Sequence, residues 1–174
     1  MTDETVLDFP IDVDRLTRAM DTSDDIGSVL RIHLELERAL THVVAAILPL
    51  PEKAKLNYPS QKINFLLAAG IPEFRLKPAA IINSIRNGMA HRESKDVIEE
   101  NDLPSLFQAI NVVIANRLTE EFELVRHRNG AQTSKKYKDM SPREKFCFLG
   151  SMAIAVTASL SNELKSASAK PPSA

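Results

Sequence analysis

The fold of this chain is decided by one stretch, residues 23–48, which reads SDDIGSVLRIHLELERALTHVVAAIL. Its apolar residues recur every three or four positions, which is the spacing of one face of an α-helix. Ser23 or Asp24 is placed to cap the start of this helix, and Pro49 and Pro51 follow its end. The stretch therefore predicts a long helix that runs to Leu48.

Helical spacing also predicts five further helices, at about 12–20, 60–70, 78–91, 104–124 and 141–166. Ser60 would cap the third helix of the chain, and Pro78 would be a first-turn proline of the fourth. No segment alternates apolar and polar residues, so no strand is predicted. The expected fold is all-α, an antiparallel bundle of four main helices with additional short helices.

One domain is expected. Residues 1–20 would form an N-terminal extension with a short helix, residues 21–167 the helical bundle, and residues 168–174 a disordered tail. Between the last two long helices, residues 126–140 are predicted to be a polar, basic connection without regular structure.

Composition excludes several classes of protein. The 22 basic and 23 acidic residues give a formal charge of −1, which argues against a surface built wholly for nucleic acid. Cys147 is the single cysteine, so neither an internal disulfide nor a cysteine metal cluster is expected. Residues 1–9 are acidic and unlike a signal peptide, and the apolar run 43–50 is shorter than the ~20 residues of a spanning helix. We expect a cytoplasmic protein without a membrane or a cofactor.

The long second helix carries polar residues on two faces. Its apolar face is predicted to hold Ile26, Leu30, Leu40, Val44 and Leu48. Its charged, solvent-facing side is predicted to hold Arg31, Glu35, Arg38 and His42. His33 and Glu37 fall within the apolar stripe, four residues apart and therefore adjacent.

A buried carboxylate at Glu37 needs a partner on a neighbouring helix. We expect Arg86, His91 or both to supply it, with His33 joining the same network. Such a network either holds two helices in register or also orients a functional motif, and the residue pattern leaves both open. A metal site is not expected, because zinc sites have three or four ligands at suitable spacing.

The segment Arg86-Asn87-Gly88-Met89-Ala90-His91 places a cation and a titratable imidazole near a helix end, a pair suited to work on a phosphodiester. On a straight helix the two side chains point about 140° apart. Gly88 weakens a helix, so the helix is expected to fray or turn there, with Asn87 and His91 on one face. Alternatively, both cations simply complement the dipole of a helix C-terminus.

The pattern Arg-Asn-x-x-Ala-His at 86–91 resembles the R-x4–6-H motif of the HEPN superfamily of helical-bundle proteins. Segments 61–71 and 81–87, together with the leucine-rich stretch 34–40, are similar to the branch that includes the mannitol-operon repressor family. The resemblance covers roughly residues 26–92.

This resemblance implies a metal-independent endoribonuclease, of the toxin or defence type, that works as a homodimer. The RNA 2′-OH would attack the adjacent phosphorus, with His91 as general acid or base. Arg86 would stabilise charge on the phosphoryl oxygens, and Asn87 would orient the histidine or a phosphate oxygen. Further candidate RNA contacts are Arg92, Arg126, Arg128, Lys135, Lys136 and Lys138. The alternative for the basic segment, and the one that the sequence favours, is a solvated linker.

The same branch implies an alternative: a non-catalytic regulator that binds a protein partner, in which Arg86 and His91 are structural. No helix-turn-helix is recognisable in the sequence, so direct sequence-specific DNA binding is not expected.

Overall fold

The computed structural model describes residues 7–91, 95–128 and 131–168. Within these ranges the chain forms six α-helices and one antiparallel pair of strands. The elements are α1 (Val13–Asp21), α2 (Asp25–Ile47), α3 (Pro59–Ala68), α4 (Glu73–His91), α5 (Pro104–Val113), β1 (Glu123–Arg128), β2 (Ala131–Lys136) and α6 (Pro142–Ser168). The prediction of a mostly helical chain is confirmed. Residues 169–174 of the predicted tail lie outside the described ranges, and Ser168 is the last residue of α6.

Local capping sets where the first two helices begin. The carboxylate of Asp12 accepts a hydrogen bond from the backbone N–H of Arg15 at 2.8 Å, and that of Asp24 accepts one from Gly27. Each bond satisfies a backbone donor that the first turn of a helix leaves unpaired. The predicted limits of α1, α2 and α6 agree with the structure to within two residues.

The third and fourth helices begin earlier than predicted. Tyr58, not Ser60, is the N-cap residue of α3, and Pro59 occupies its first turn, where a missing N–H costs nothing. Helix α4 begins at Glu73, so Pro78 lies inside the helix instead of in its first turn. Proline there removes one backbone hydrogen bond, which the burial of Pro78 against the core helps to offset.

The predicted fifth helix, 104–124, is wrong beyond Val113. The Asn111 side chain binds both backbone groups of Leu118, each at 2.9 Å, and so fixes a turn in place of further helix. Ala115 and Asn116 take left-handed backbone conformations within that turn. The strands β1 and β2 follow, where a connection without regular structure was predicted.

The base of the β1–β2 hairpin is anchored by one aromatic residue. Tyr137 is buried, and its ring lies 5.1 Å from that of Phe107 in α5 and 6.0 Å from that of Phe148 in α6. Its backbone N–H donates to the Phe122 carbonyl at 2.8 Å. The hairpin is therefore held against the helices by aromatic packing.

Helix α2 is the centre of the core and contacts α1, α3, α4 and α6. Its contact with α6 is close because Gly150 has no side chain. A Cβ atom at Gly150 would lie 2.5 Å from Cγ2 of Ile32, which is fully buried. Glycine at this position therefore sets how near the two longest helices approach.

The predicted charged face of α2 is partly buried. Glu35 is fully buried, and its carboxylate accepts from Arg38 at 2.6 Å, from Arg15 at 3.0 Å and from the backbone N–H of Asp12 at 2.9 Å. Glu35 is buried because α1 packs on this side of α2. Residues 7–21 also contribute Phe9 and Ala19 to the main core.

The first two turns of the predicted apolar face of α2 are partly exposed to solvent. Ile26 is 43% exposed and Leu30 is 41% exposed, although both were expected to be buried. They belong to an exposed apolar row at four-residue spacing that continues to Leu34. We call Ile26, Leu30 and Leu34 the α2 apolar row.

Among the described residues, one helical stretch, Pro142–Ser166 in α6, is long and apolar enough to cross a membrane by length and composition. An 18-residue segment of it has a mean hydropathy of 1.2, and 56% of that segment is buried within the fold. Cys147 lies in this stretch and is buried.

The close approach of α6 to α2 gives a test with a matched control. Gly150→Ala should lower the free energy of unfolding by about 1–2 kcal/mol, because overpacking against Ile32 outweighs the gain in helix propensity. Gly88→Ala should instead raise it by about 0.5–1 kcal/mol, since no atom lies within 4 Å of its added Cβ. Urea denaturation followed by circular dichroism measures both; equal effects of the two substitutions would contradict the close packing.

Candidate functional site

The segment 86–91 is helical to its end. Helix α4 continues without interruption through Gly88 to His91, so the expected fraying or turning is wrong. Arg86 and His91 therefore point about 140° apart. Asn87 and His91 are both exposed and, four residues apart, share one side of the helix.

Arg86 and Asn87 line a cleft of about 380 Å³ between α2, α4 and the start of α3. The residues that line it are His33, Glu37, Asn57, Tyr58, Pro59, Ser60, Asn83, Arg86 and Asn87. Four residues that the sequence singled out, His33, Glu37, Arg86 and Asn87, thus meet in one place. His91 is not among the lining residues and lies one turn beyond Asn87 at the end of α4.

The partner of Glu37 is Lys62 of α3, whose Nζ lies 2.8 Å from the carboxylate. Lys62 is buried, so its ammonium needs a carboxylate as much as Glu37 needs a cation. In the described part of the chain no hydrogen bond or ion pair joins Glu37 to Arg86 or His91. The predicted pairing is therefore wrong, because α3 places a buried cation nearer.

His33 is buried beside the cleft and contacts α4. Its Nε2 lies 3.2 Å from Oδ1 of Asn83, which suits the tautomer with the proton on Nε2 and leaves Nδ1 as an acceptor. Burial lowers the pKa of His33 below its usual value; the Asn83 contact opposes this shift and the nearby Arg86 guanidinium adds to it. His33 is therefore a neutral imidazole at pH 7.

Arg86 is half-buried between α2 and α4. Its Nη1 donates to Oδ1 of Asn87 at 3.2 Å. Its Nε is buried, and within the described residues this atom has no hydrogen-bond partner. The Nε atoms of Arg75 and Arg143 are buried and unpaired in the same way, so three arginines of the described chain share this feature.

The three lysines at the hairpin, Lys135, Lys136 and Lys138, pair with neighbouring carboxylates. Lys135 pairs with Glu144 at 2.7 Å, while Lys136 and Lys138 both pair with Glu121 and lower its pKa to about 2. Paired lysines present less positive potential to phosphates than free ones. Contact of this hairpin with RNA stays a prediction. Arg92 and the side chains of Arg126 and Arg128 lie outside what the structure describes.

The chain matches no known protein-family model, no curated protein and no solved structure. The resemblance to the HEPN superfamily therefore stays a prediction drawn from the residues. Over the described ranges, no group of three or more histidine, cysteine, aspartate or glutamate side chains is placed to hold a metal ion.

The lowered pKa of His33 predicts a pH dependence of stability. Between the lowered folded pKa and the ordinary unfolded value near 6.5, the unfolded chain binds more protons. The contribution of His33 to the free energy of unfolding is therefore complete above its unfolded-state pKa. It is lost as the pH falls towards its folded-state pKa. The intact protein should lose more free energy of unfolding between pH 7.5 and 5 than His33→Gln, which cannot be protonated. Equal losses in urea denaturation would contradict a buried neutral imidazole.

Proposed function

We propose that the protein is a metal-independent endoribonuclease of the HEPN type, of the toxin or defence class, that acts in the cytoplasm through Arg86, Asn87 and His91. One observation carries this proposal. Because Lys62 satisfies Glu37, His91 is not required as an internal partner and stands exposed beside Asn87, at the same helix end as the Arg86 cleft. An imidazole that is open to solvent can exchange protons with a substrate.

The proposed reaction needs only protein groups. The 2′-oxygen of RNA bonds to the adjacent phosphorus, and the bond from phosphorus to the 5′-oxygen breaks. A base takes the 2′-OH proton, an acid gives a proton to the departing 5′-oxygen, and the products are a 2′,3′-cyclic phosphate and a 5′-hydroxyl. His91 takes one of the two roles. Arg86 stabilises the charge that develops on the phosphoryl oxygens.

A homodimer would supply the second histidine that an acid and a base together require. The α2 apolar row supports this part of the proposal, since Ile26 and Leu30 form a shallow groove with Met89, Ala90 and Arg86. A second copy packed on this groove, which includes Arg86, would bring two R-x4-H motifs close together. Sedimentation equilibrium should give twice the chain mass, and a monomer at micromolar concentration would contradict the dimer.

A second candidate is the non-catalytic regulator that binds a protein partner. The observation that favours it is the same exposed apolar surface, because exposed apolar side chains that share one helix face mark protein contacts. In this case Arg86 and His91 would border the partner interface instead of a phosphodiester. Absence of RNA cleavage by the intact protein would favour this candidate.

RNA cleavage distinguishes the two candidates. In the presence of a chelator, the intact protein should cut single-stranded RNA, and His91→Ala should slow cleavage by about 10²–10⁴-fold, the usual contribution of a general acid or base. His42→Ala, which changes a histidine of α2 that pairs with Asp8 and does not line the Arg86 cleft, is the matched control and should cut at the rate of the intact protein. Equal rates for His91→Ala and the intact protein would contradict the proposed role.

A further inference from the structure

The cleft beside Arg86 has an aromatic side chain at its mouth that the proposed cleavage step does not use. Tyr58 is 65% exposed, although tyrosine is commonly packed against other residues. Its backbone is held firmly, because its N–H donates to Oε1 of Gln61 and its carbonyl accepts from the backbone N–H groups of Gln61 and Lys62. The tyrosine therefore presents a ring from a fixed point at the start of α3.

The wall of the cleft is rich in hydrogen-bond donors. Asn83 uses its carbonyl to accept from His33, and Asn87 uses its carbonyl to accept from Arg86. Both carboxamides are thereby left with their NH2 groups as donors. The Arg86 guanidinium adds further donors and a positive charge.

The first turn of α3 lies at the same wall. Ser60 is in this turn, where the helix dipole favours an anion. The Glu37 carboxylate also lines the cleft, but its charge is paired with Lys62. The donors beside Arg86 suit phosphate and keto oxygens, whereas an apolar peptide side chain would leave these groups unpaired.

We propose that this cleft binds one unstacked nucleotide of single-stranded RNA, with its base stacked on Tyr58 and its phosphate held by Arg86. The inference rests on the proposed endoribonuclease function and names its substrate as unpaired RNA. The volume of about 380 Å³ lies within the ordinary range of small-molecule sites. Proteins commonly bind single strands in this way, with an aromatic ring on the base and a cation on the backbone.

The geometry also relates the cleft to the exposed histidine. Asn87 borders the cleft, and His91 lies one turn further along the same side of α4. A strand whose base enters the cleft would pass its backbone over Asn87 towards His91. The cleft nucleotide would therefore lie next to the phosphodiester that is cut.

Binding is measured with His91→Ala as the background, so that the RNA stays intact. Fluorescence anisotropy is recorded with a labelled single-stranded RNA hexamer and with the duplex of the same sequence. Tyr58→Ala should weaken binding of the single strand by about 5- to 100-fold, and Tyr58→Phe should change it by less than about twofold, because the phenyl ring keeps the stacking face. The duplex should bind more weakly than the single strand, since its bases are already stacked.

Phe74→Ala is the matched control. Phe74 is an exposed aromatic residue at the start of α4 that lines a different surface, with Leu160 and Leu164. Its removal should leave the affinity for the hexamer unchanged. Circular dichroism should give the same melting temperature for Tyr58→Ala and its background, because Tyr58 is largely exposed.

Several outcomes would overturn the inference: equal affinity of Tyr58→Ala and its background, binding of the duplex as tight as that of the single strand, an equal loss in Phe74→Ala, or no binding of RNA. Its failure is separable from failure of the proposed function. Cleavage by the intact protein with no effect of Tyr58→Ala on affinity would remove the cleft assignment alone. Loss of binding in Tyr58→Ala, with no cleavage by the intact protein, would support the cleft and remove the nuclease.

Discussion

Helix α2 is packed against four other helices, and its buried Glu35 and His33 and its half-buried Glu37 each have a partner on one of them. Glu35 binds Arg15 of α1, Glu37 binds Lys62 of α3, and His33 contacts Asn83 of α4. Each pairing joins α2 to a different helix. Removing one partner would leave a polar group inside the protein without its hydrogen bond or ion pair. These contacts therefore restrict which helix can lie on which side of α2.

The cleft follows from the same constraint. The Glu37–Lys62 pair holds α3 against α2, and the His33–Asn83 contact holds α4 against α2, so the start of α3 and the last turns of α4 enclose a space between them. Arg86 and Asn87 lie on that part of α4. The polar contacts that hold the helices together therefore also position the hydrogen-bond donors that line the cleft.

Much of the helical framework could be predicted because its signals are local. Asp12 and Asp24 mark helix starts by their own side-chain chemistry, and the apolar spacing of residues 23–48 needs no knowledge of the fold. The hairpin also has a local signal, the dipeptide Asn129-Gly130 between the two strands, which favours tight hairpin turns. The strands themselves are not predicted, because β1 and β2 are mostly polar and lack alternation.

Other features depend on the packing of distant segments. A helical wheel with one apolar face places Glu35 in solvent, but α1 covers that side of α2 and buries it. His33, Arg86 and Asn87 were identified from sequence, and the structure brings them to one cleft. The partner of Glu37 was not identified from sequence. A carboxylate can pair with either a lysine or an arginine, so the choice between Lys62 and Arg86 depends on where α3 packs. The available signal for burial of Lys62 was its spacing in the helix. It lies three residues after Pro59 and four residues before Leu66, and both of these residues are buried.

The proposed chemistry is that the R-x4-H end of α4 promotes attack of an RNA 2′-oxygen without a metal ion. The direct measurement is the structure of the RNA ends produced in chelator, together with a substrate that carries a single 2′-deoxy nucleotide at the cut position. The account predicts a 2′,3′-cyclic phosphate, a 5′-hydroxyl and no cleavage of the deoxy substrate. Ends bearing a 3′-hydroxyl and a 5′-phosphate, or cleavage at the deoxy position, would contradict it.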